Sequence, residues 1–237
     1  MKVLISVVNP DEAIEALKGG ADIVDIKDPA KGSLGAPNTA LVGLIVRSLR
    51  SASHDPVPTS LALGDDPTKK ETKELALVAG ELNIDYVKAG SFGLKDVGKA
   101  IEVYRDLKVS VKRLKFVTVA YADHAFINCL SPIDLLKAAY RSDFDVFMID
   151  TFIKNGMSTF DYLSVDKVME IKELTHKMGL LFALAGSLGL SHVEMVRKVK
   201  PDIVGFRSAA CGGDRVRQSV IRSRVRAIVE AYKSAQY

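Results

Sequence analysis

The sequence predicts one parallel (β/α)8 barrel, a single catalytic domain over residues 1–237, on three observations. Short β-rich apolar runs alternate with longer segments of helical periodicity, eight times over, which is the pattern of βα units building a parallel sheet. The length of 237 residues suits a fold that typically takes about 250. No residue block is left over, no composition shift marks a second domain, and no low-complexity tract interrupts the alternation. An open doubly wound sheet usually carries Gly-x-Gly-x-x-Gly after its first strand; here that position reads Asn9-Pro10-Asp11.

The first strand is expected over Lys2 to Val8, with Asp11 capping a helix that stops at Gly19-Gly20. The second run, Ile23 to Lys27, ends at Asp28-Pro29, and its helix begins near Asn38-Thr39. Pro58 to Leu63 is the third run, followed by a helix from about Thr68 to Glu81. Tyr86 to Gly90 is the fourth, with a helix from about Leu94 to Leu107. The fifth, Lys115 to Ala120, leads to Ser131-Pro132, a cap followed by proline at the first helical position. Asp145 to Asp150 is the sixth, with a helix from about Val165 to Met178. The seventh, Leu180 to Ala185, precedes a helix capped by Ser191. The eighth, Ile203 to Phe206, precedes a last helix from about Arg215 to Lys233.

Composition excludes several classes. Apolar residues make up 48% and charged residues 26%, as in soluble enzymes. No run of about 18 apolar residues suggests a membrane span, and the N-terminus lacks the pattern of a secretory signal, so a cytoplasmic protein is expected. The net charge of +4 is mild, aromatics are 7%, and no nucleic-acid-reading motif is present; Arg215 to Arg226 reads as a solvated helix face. Cys129 and Cys211 have no zinc spacing and read as incidental thiols. His54, His124, His176 and His192 are scattered without HxH or HExxH, so neither metal nor cofactor is expected. His124, in Tyr121-Ala122-Asp123-His124 after strand five, could touch substrate or simply bond within its loop. A homo-oligomer is left open.

In such barrels catalytic groups project from the C-terminal ends of the strands. The polar residues there are Asp25 and Lys27 on strand two, Lys88 on strand four, Asp150 with Lys154 just beyond on strand six, and Arg207 on strand eight. All are even-numbered strands, and one layer of side chains comes from alternate strands, so these groups can converge. Asp25 and Lys27, two apart, share a face. Buried lysines are costly unless paired, and Asp25 and Asp150 offer the pairing. A salt-bridged polar plug would use the same residues without chemistry. A lysine becomes a nucleophile when neutral, and desolvation with nearby cations favours that form. One lysine can then form an imine, while Lys88 moves protons and the aspartates orient the amines.

The last two strands carry a second signal. Ala185-Gly186-Ser187-Leu188-Gly189 follows strand seven, and Arg207-Ser208-Ala209-Ala210-Cys211-Gly212-Gly213-Asp214 follows strand eight. Small residues expose backbone N–H groups, and barrels commonly bind phosphate at these two loops. Gly186, Ser187, Arg207, Ser208, Gly212 and Gly213 are the expected phosphate holders. Gly32-Ser33-Leu34-Gly35 could hold a second phosphate.

Asp25-Ile26-Lys27-Asp28-Pro29, Gly32-Ser33-Leu34-Gly35, Tyr86-Val87-Lys88, Tyr121-Ala122-Asp123, Ile149-Asp150-Thr151 with Lys154, Ala183 to Ser187, and Arg207 to Cys211 with Gly212-Gly213-Asp214-Arg215 together resemble the (5-formylfuran-3-yl)methyl phosphate synthase family of methanofuran biosynthesis, over essentially the whole chain. The family condenses two molecules of glyceraldehyde 3-phosphate into a phosphorylated hydroxymethyl-furaldehyde, losing phosphate and water. The resemblance implies that Lys27 is the Schiff-base lysine and Lys88 the proton-transfer lysine, with Asp25, Asp150 and Lys154 in support. It also implies a triose phosphate as small-molecule partner, and no cofactor. The implied sequence is an imine on Lys27, elimination of phosphate, attack of the enamine on the aldehyde of the second triose, and ring closure. The chain departs from the family pattern at Phe206 and Ser208, where smaller residues are expected, which bears on the shape of the phosphate pocket.

Two rivals stand beside this reading. Asp25-Ile26-Lys27 resembles the Asp-x-Lys-x-x-Asp motif of orotidine-phosphate decarboxylase-like barrels, but Ala30 replaces the second aspartate. Another Schiff-base, aldolase-type barrel lyase would use the same lysines. A non-enzymatic barrel that only captures a phosphometabolite needs no buried amine.

Overall fold

Strands and helices alternate around a closed, all-parallel barrel in which β1 pairs with both β2 and β8. The computed structural model describes residues 1–53, 55–109 and 114–233; His54 lies outside them. The strands are β1 (Lys2–Val7), β2 (Ile23–Ile26), β3 (Thr59–Gly64), β4 (Tyr86–Ala89), β5 (Lys115–Tyr121), β6 (Val146–Asp150), β7 (Leu181–Leu184) and β8 (Ile203–Phe206). The helices are α1 (Pro10–Lys18), α2 (Thr39–Ala52), α3 (Lys70–Glu81), α4 (Val97–Val109), α5 (His124–Ile127), α6 (Pro132–Arg141), α7 (Thr159–Tyr162), α8 (Val165–Lys177), α9 (Val193–Val199), α10 (Ser208–Cys211) and α11 (Arg222–Lys233). No helix among the described residues is long and apolar enough to cross a membrane.

Each strand is covered on both faces, which is why the strands read as nearly continuous apolar runs. Alternate residues build two cores. Val3, Ile5, Val24, Ile26, Phe116, Phe147, Phe182 and Val204 face the helices, while Leu4, Ile23, Ala62, Tyr86, Val117, Val119, Met148, Ala183 and Ile203 fill the barrel. Burying each large side chain stabilises the fold by about 1.5–3 kcal/mol. At the N-terminal end one device recurs on every even strand. Asp22, Asp85, Asp145 and Asp202, each just before its strand, accept the N–H of Val3, Thr59, Phe116 and Phe182 respectively, at 2.7, 2.7, 2.7 and 2.8 Å. Each carboxylate ties an even strand to the start of the odd strand before it.

Three local expectations are corrected. Asn9, not Asp11, caps α1: its Oδ1 accepts the Glu12 N–H at 2.8 Å, and Pro10 opens the helix. Ser191 does not cap α9, because it sits inside a single 3-10 turn, Leu190–His192, that precedes the helix. The last helix begins at Arg222 rather than Arg215. Asp214 turns the chain first, its Oδ1 accepting the N–H groups of Val216 and Arg217 at 2.9 and 3.0 Å. Residues 215–218 thus precede the helix, and Arg215 among them lines the barrel mouth.

Candidate active site

The C-terminal mouth gathers Asp25, Lys27, Lys88, Asp150 and Lys154. Lys27 follows β2, and its backbone N–H donates to Val7 O at 3.2 Å, so the strand's inward alternation persists through it. Its Nζ donates to Ser33 O at 3.2 Å and the residue is 6% exposed. Burial pulls the Lys27 pKa down to about 7; the field of Asp150 opposes this, and Lys88 reinforces it. An amine with that pKa is about half neutral at pH 7, against roughly one in a few thousand for an ordinary lysine.

Lys88 lies on β4 with its Nζ 2.7 Å from Asp25 Oδ2, both side chains fully enclosed. Ser6, on β1 beside Asp25, donates its Oγ to the same oxygen at 2.8 Å. Asp25 Oδ1 is buried and meets no partner. Across the mouth, Lys154 Nζ donates to Asp150 Oδ1 at 2.7 Å and to Thr151 Oγ1 at 3.1 Å. Burial alone would push the Asp150 carboxyl up. The charges of Lys154 and Lys27, with the Thr151 N–H, outweigh it and hold the pKa at about 2.

These groups open on a pocket of about 450 Å³, counting its open mouth, whose walls include Lys27, Lys88, Asp150, Lys154, Gly186, Ser187, Ser208 and Arg215. A shallower hollow outside it shares Lys154, Ser187, Ser208 and Arg215 and adds Pro29, Gly156 and Gly213. Gly186 has φ +98°, and a Cβ there would collide with Thr159 Oγ1, so the turn after β7 is packed tightly against α7.

Three of the expected phosphate holders are engaged otherwise. Arg207, 6% exposed, clasps the Glu12 carboxylate with Nη1 and Nη2, and donates from Nη1 to Ser6 O, from Nε to Arg215 O and from Nη2 to Gln218 O. All five of its N–H groups are thus directed at protein acceptors. Gly212 and Gly213, at φ +92° and +124°, both donate their N–H to Ser208 O, closing α10 in a turn. The loop Gly32–Gly35 is likewise tied down: Leu34 N donates to Asp65 Oδ1 at 3.0 Å, and Ser33 Oγ donates to Thr151 O at 2.8 Å. It places the Ser33 carbonyl on Lys27.

Several residues beyond these hold the loops of the mouth in place, among them Tyr121, Asp123 and His124, whose roles the sequence left open. Tyr121 donates to Asp65 Oδ1 at 2.6 Å, and burial raises the Asp65 pKa. Asp123 accepts the N–H groups of Phe152 and Ile153 at 2.8 and 2.7 Å, fixing the loop that carries Lys154. His124 opens α5, and its Nδ1 is buried without a partner. Burial pushes Cys129 and Cys211 up to about 11, so neither thiol is an activated nucleophile. No group of three or more His, Cys, Asp or Glu side chains among the described residues is placed to hold a metal.

Fold and mouth together define a (β/α)8-barrel enzyme whose polar centre consists of lysine amines and aspartate carboxylates. A family profile described as 4-HFC-P synthase matches residues 3–229. The chain is 39% identical over 220 residues to the (5-formylfuran-3-yl)methyl phosphate synthase of Archaeoglobus fulgidus, covering 91% of this chain and 92% of that one. It is 37% identical over 233 residues to the enzyme of the same name from Methanosarcina acetivorans, covering 95% and 98%. The chain belongs to the 4-HFC-P synthase family. Among solved structures, phosphoribosyl anthranilate isomerase from Thermus thermophilus shares the fold at TM-score 0.64 and 14% identity, with 98% of each chain covered. Thiamine phosphate pyrophosphorylase from Pyrococcus furiosus does so at TM-score 0.64 and 16% identity, with 98% and 97% covered.

Proposed function

We propose that this enzyme makes (5-formylfuran-3-yl)methyl phosphate, a precursor in methanofuran biosynthesis, from two molecules of glyceraldehyde 3-phosphate through an imine on Lys27. One observation carries the reading: a buried amine held at a pKa of about 7, facing a pocket rich in cations. Simple capture of a phosphometabolite needs no such amine, whereas attack on a carbonyl does.

The Lys27 amine adds to the aldehyde of the first triose and loses water. The imine acidifies the middle carbon; the Lys88–Asp25 pair takes the proton, and phosphate leaves the third carbon. Lys154, paired with Asp150 at the pocket wall, stands where departing phosphate charge can be met. The remaining three-carbon unit is a neutral imine at its first carbon and an enol between its second and third, and the enol makes its terminal carbon nucleophilic.

The product name corrects the next step expected from sequence. Attack on the aldehyde carbon of the second triose would place the phosphomethyl group beside the ring oxygen. The name places it one carbon further round. The new bond therefore goes to the middle carbon of the second triose, which must react as the ketone. Proton transfer between its first two carbons, a task for the same Lys88–Asp25 pair, supplies that form. Its terminal hydroxyl then closes the ring, and hydrolysis frees Lys27. Two trioses become one furan, one phosphate and two waters, so atoms balance without an oxidant.

Gly186, Ser187 and Ser208, which line one wall of the pocket, are proposed to meet phosphate where the loops after β7 and β8 converge. Incubation with glyceraldehyde 3-phosphate, read for furan absorbance and released phosphate, tests the function. One phosphate per furan is expected. Phosphate release with no furan would reduce the enzyme to an eliminating lyase, and release of neither would overturn the proposal.

A further inference from the structure

The segment after α10 places an arginine at the mouth that its sequence setting assigned to a helix surface. Arg207, at the end of β8, is held by Glu12, whose Oε2 also accepts the Val8 N–H at 3.0 Å. The guanidinium in turn holds the carbonyls of Arg215 at 3.0 Å and Gln218 at 3.5 Å. With its backbone clamped in this way, Arg215 reaches across the mouth from the β8 side to the β2 side. Its Nη2 donates to Gly32 O at 3.0 Å.

Gly32 O is the one hydrogen-bond acceptor that the Arg215 guanidinium meets among the described residues, so most of its N–H groups remain free for a ligand. The side chain borders both the inner pocket and the outer hollow. The surrounding charge leans positive: with Arg207 paired to Glu12, the cations Lys27, Lys88, Lys154 and Arg215 are met by the carboxylates of Asp25 and Asp150 and by Asp65, whose pKa burial raises. A planar fork of N–H donors in such a field suits a phosphate dianion, which it can grip with two parallel bonds.

We propose that Arg215 is the specificity residue that reads the phosphate of the triose, and that Arg207 with Glu12 is the buried pair that positions it. The inference rests on the reading that the pocket takes triose phosphates, and it moves the charged contact from the end of β8 to the segment beyond α10. Arg207 acts through the Arg215 backbone and does not touch the ligand.

The test uses the full chain and inorganic phosphate, titrated calorimetrically. Arg215→Gln weakens phosphate binding at least tenfold, and Arg215→Lys, which keeps the charge but loses the fork, weakens it less. Arg207→Lys also weakens binding, but adds nothing in an Arg215→Gln background, because its effect passes through Arg215. Glu12→Gln gives the same comparison should Arg207→Lys not fold. A second readout is the rate of borohydride trapping with glyceraldehyde 3-phosphate relative to unphosphorylated glyceraldehyde. That ratio falls at least tenfold in Arg215→Gln, and a ratio equal to that of the wild type overturns the assignment. Phosphate affinity within twofold of wild type in Arg215→Gln, or no phosphate binding by the wild type, overturns the assignment. An equal effect of Arg207→Lys with and without Arg215 overturns the positioning role. Phosphate titration does not depend on turnover, so arginine-dependent binding without furan formation would count against the proposed reaction and in favour of Arg215.

Discussion

Replacing Lys27 by methionine should abolish turnover and stabilise the fold, with a pH dependence that reports the state of the amine. Burial holds Lys27 at a pKa of about 7, whereas the unfolded chain presents a lysine near 10.4. Below pH 7 the amine is charged in both states, and the folded protein carries the full cost of an enclosed cation. Between pH 7 and about 10.4 the unfolded chain still binds the proton and the folded chain does not, so stability rises with pH. Above that window the cost vanishes. Linkage between these two values puts the penalty at ~4 kcal/mol at pH 7 and below ~1 kcal/mol at pH 10. Methionine has similar length and carries no such penalty. It also removes the attraction between the Lys27 charge and Asp150, which is already contained in the Lys27 pKa, while the Asp150 carboxyl, held at about 2, stays ionised across the window. Urea unfolding of wild type and Lys27→Met at the two pH values should therefore give stability differences that themselves differ by ~3 kcal/mol, the variant gaining more at pH 7. Equal differences at both values would mean that Lys27 titrates as an ordinary lysine, and the argument for an activated amine would fail.

Three further outcomes are expected. Lys88→Ala should lower kcat by roughly 10²–10⁴-fold with little change in substrate affinity, as steady-state kinetics with a binding measurement would show; full turnover would remove Lys88 from proton transfer. Asp150→Asn removes the carboxylate that opposes the lowering of the Lys27 pKa, so the midpoint of the pH profile for imine trapping should move below 7, and an upward move would contradict the electrostatic account. Asp123→Ala strands the N–H groups of Phe152 and Ile153, which should cost about 2–4 kcal/mol in denaturant unfolding and slow turnover by loosening Lys154; an unchanged unfolding midpoint would show that the loop holds itself.

The barrel was legible because strand and helix periodicities alternate without interruption, and the end of a parallel strand is where chemistry is placed. That logic led to Lys27, Lys88 and Asp150, whose position along the chain already says which way they point. A spacing of five residues, from Asp22 to Lys27, Asp145 to Asp150 and Asp202 to Arg207, separates the aspartate that ties an even strand to its neighbour from the polar residue at the strand's other end. It was visible in the sequence and went unread. Arg207 shows the limit of the same logic, because its position was right for a ligand contact while its donors were engaged by Glu12, a residue on another element about two hundred positions away. Arg215 was missed because a run of arginines before an amphipathic segment has the pattern of a helix face. The Asp214 turn and the hold on its carbonyl are tertiary facts. Asp65 and Asp123 act through backbone N–H groups of distant loops, and Tyr121 through the Asp65 carboxylate; no spacing within their own segments announces that.

The central claim is most directly tested by adding sodium borohydride during turnover of glyceraldehyde 3-phosphate and locating the reduced adduct by peptide mass spectrometry. The account predicts a single adduct on Lys27, absent from Lys27→Met. An adduct on Lys88 or Lys154 instead, or no adduct while furan still forms, would contradict it.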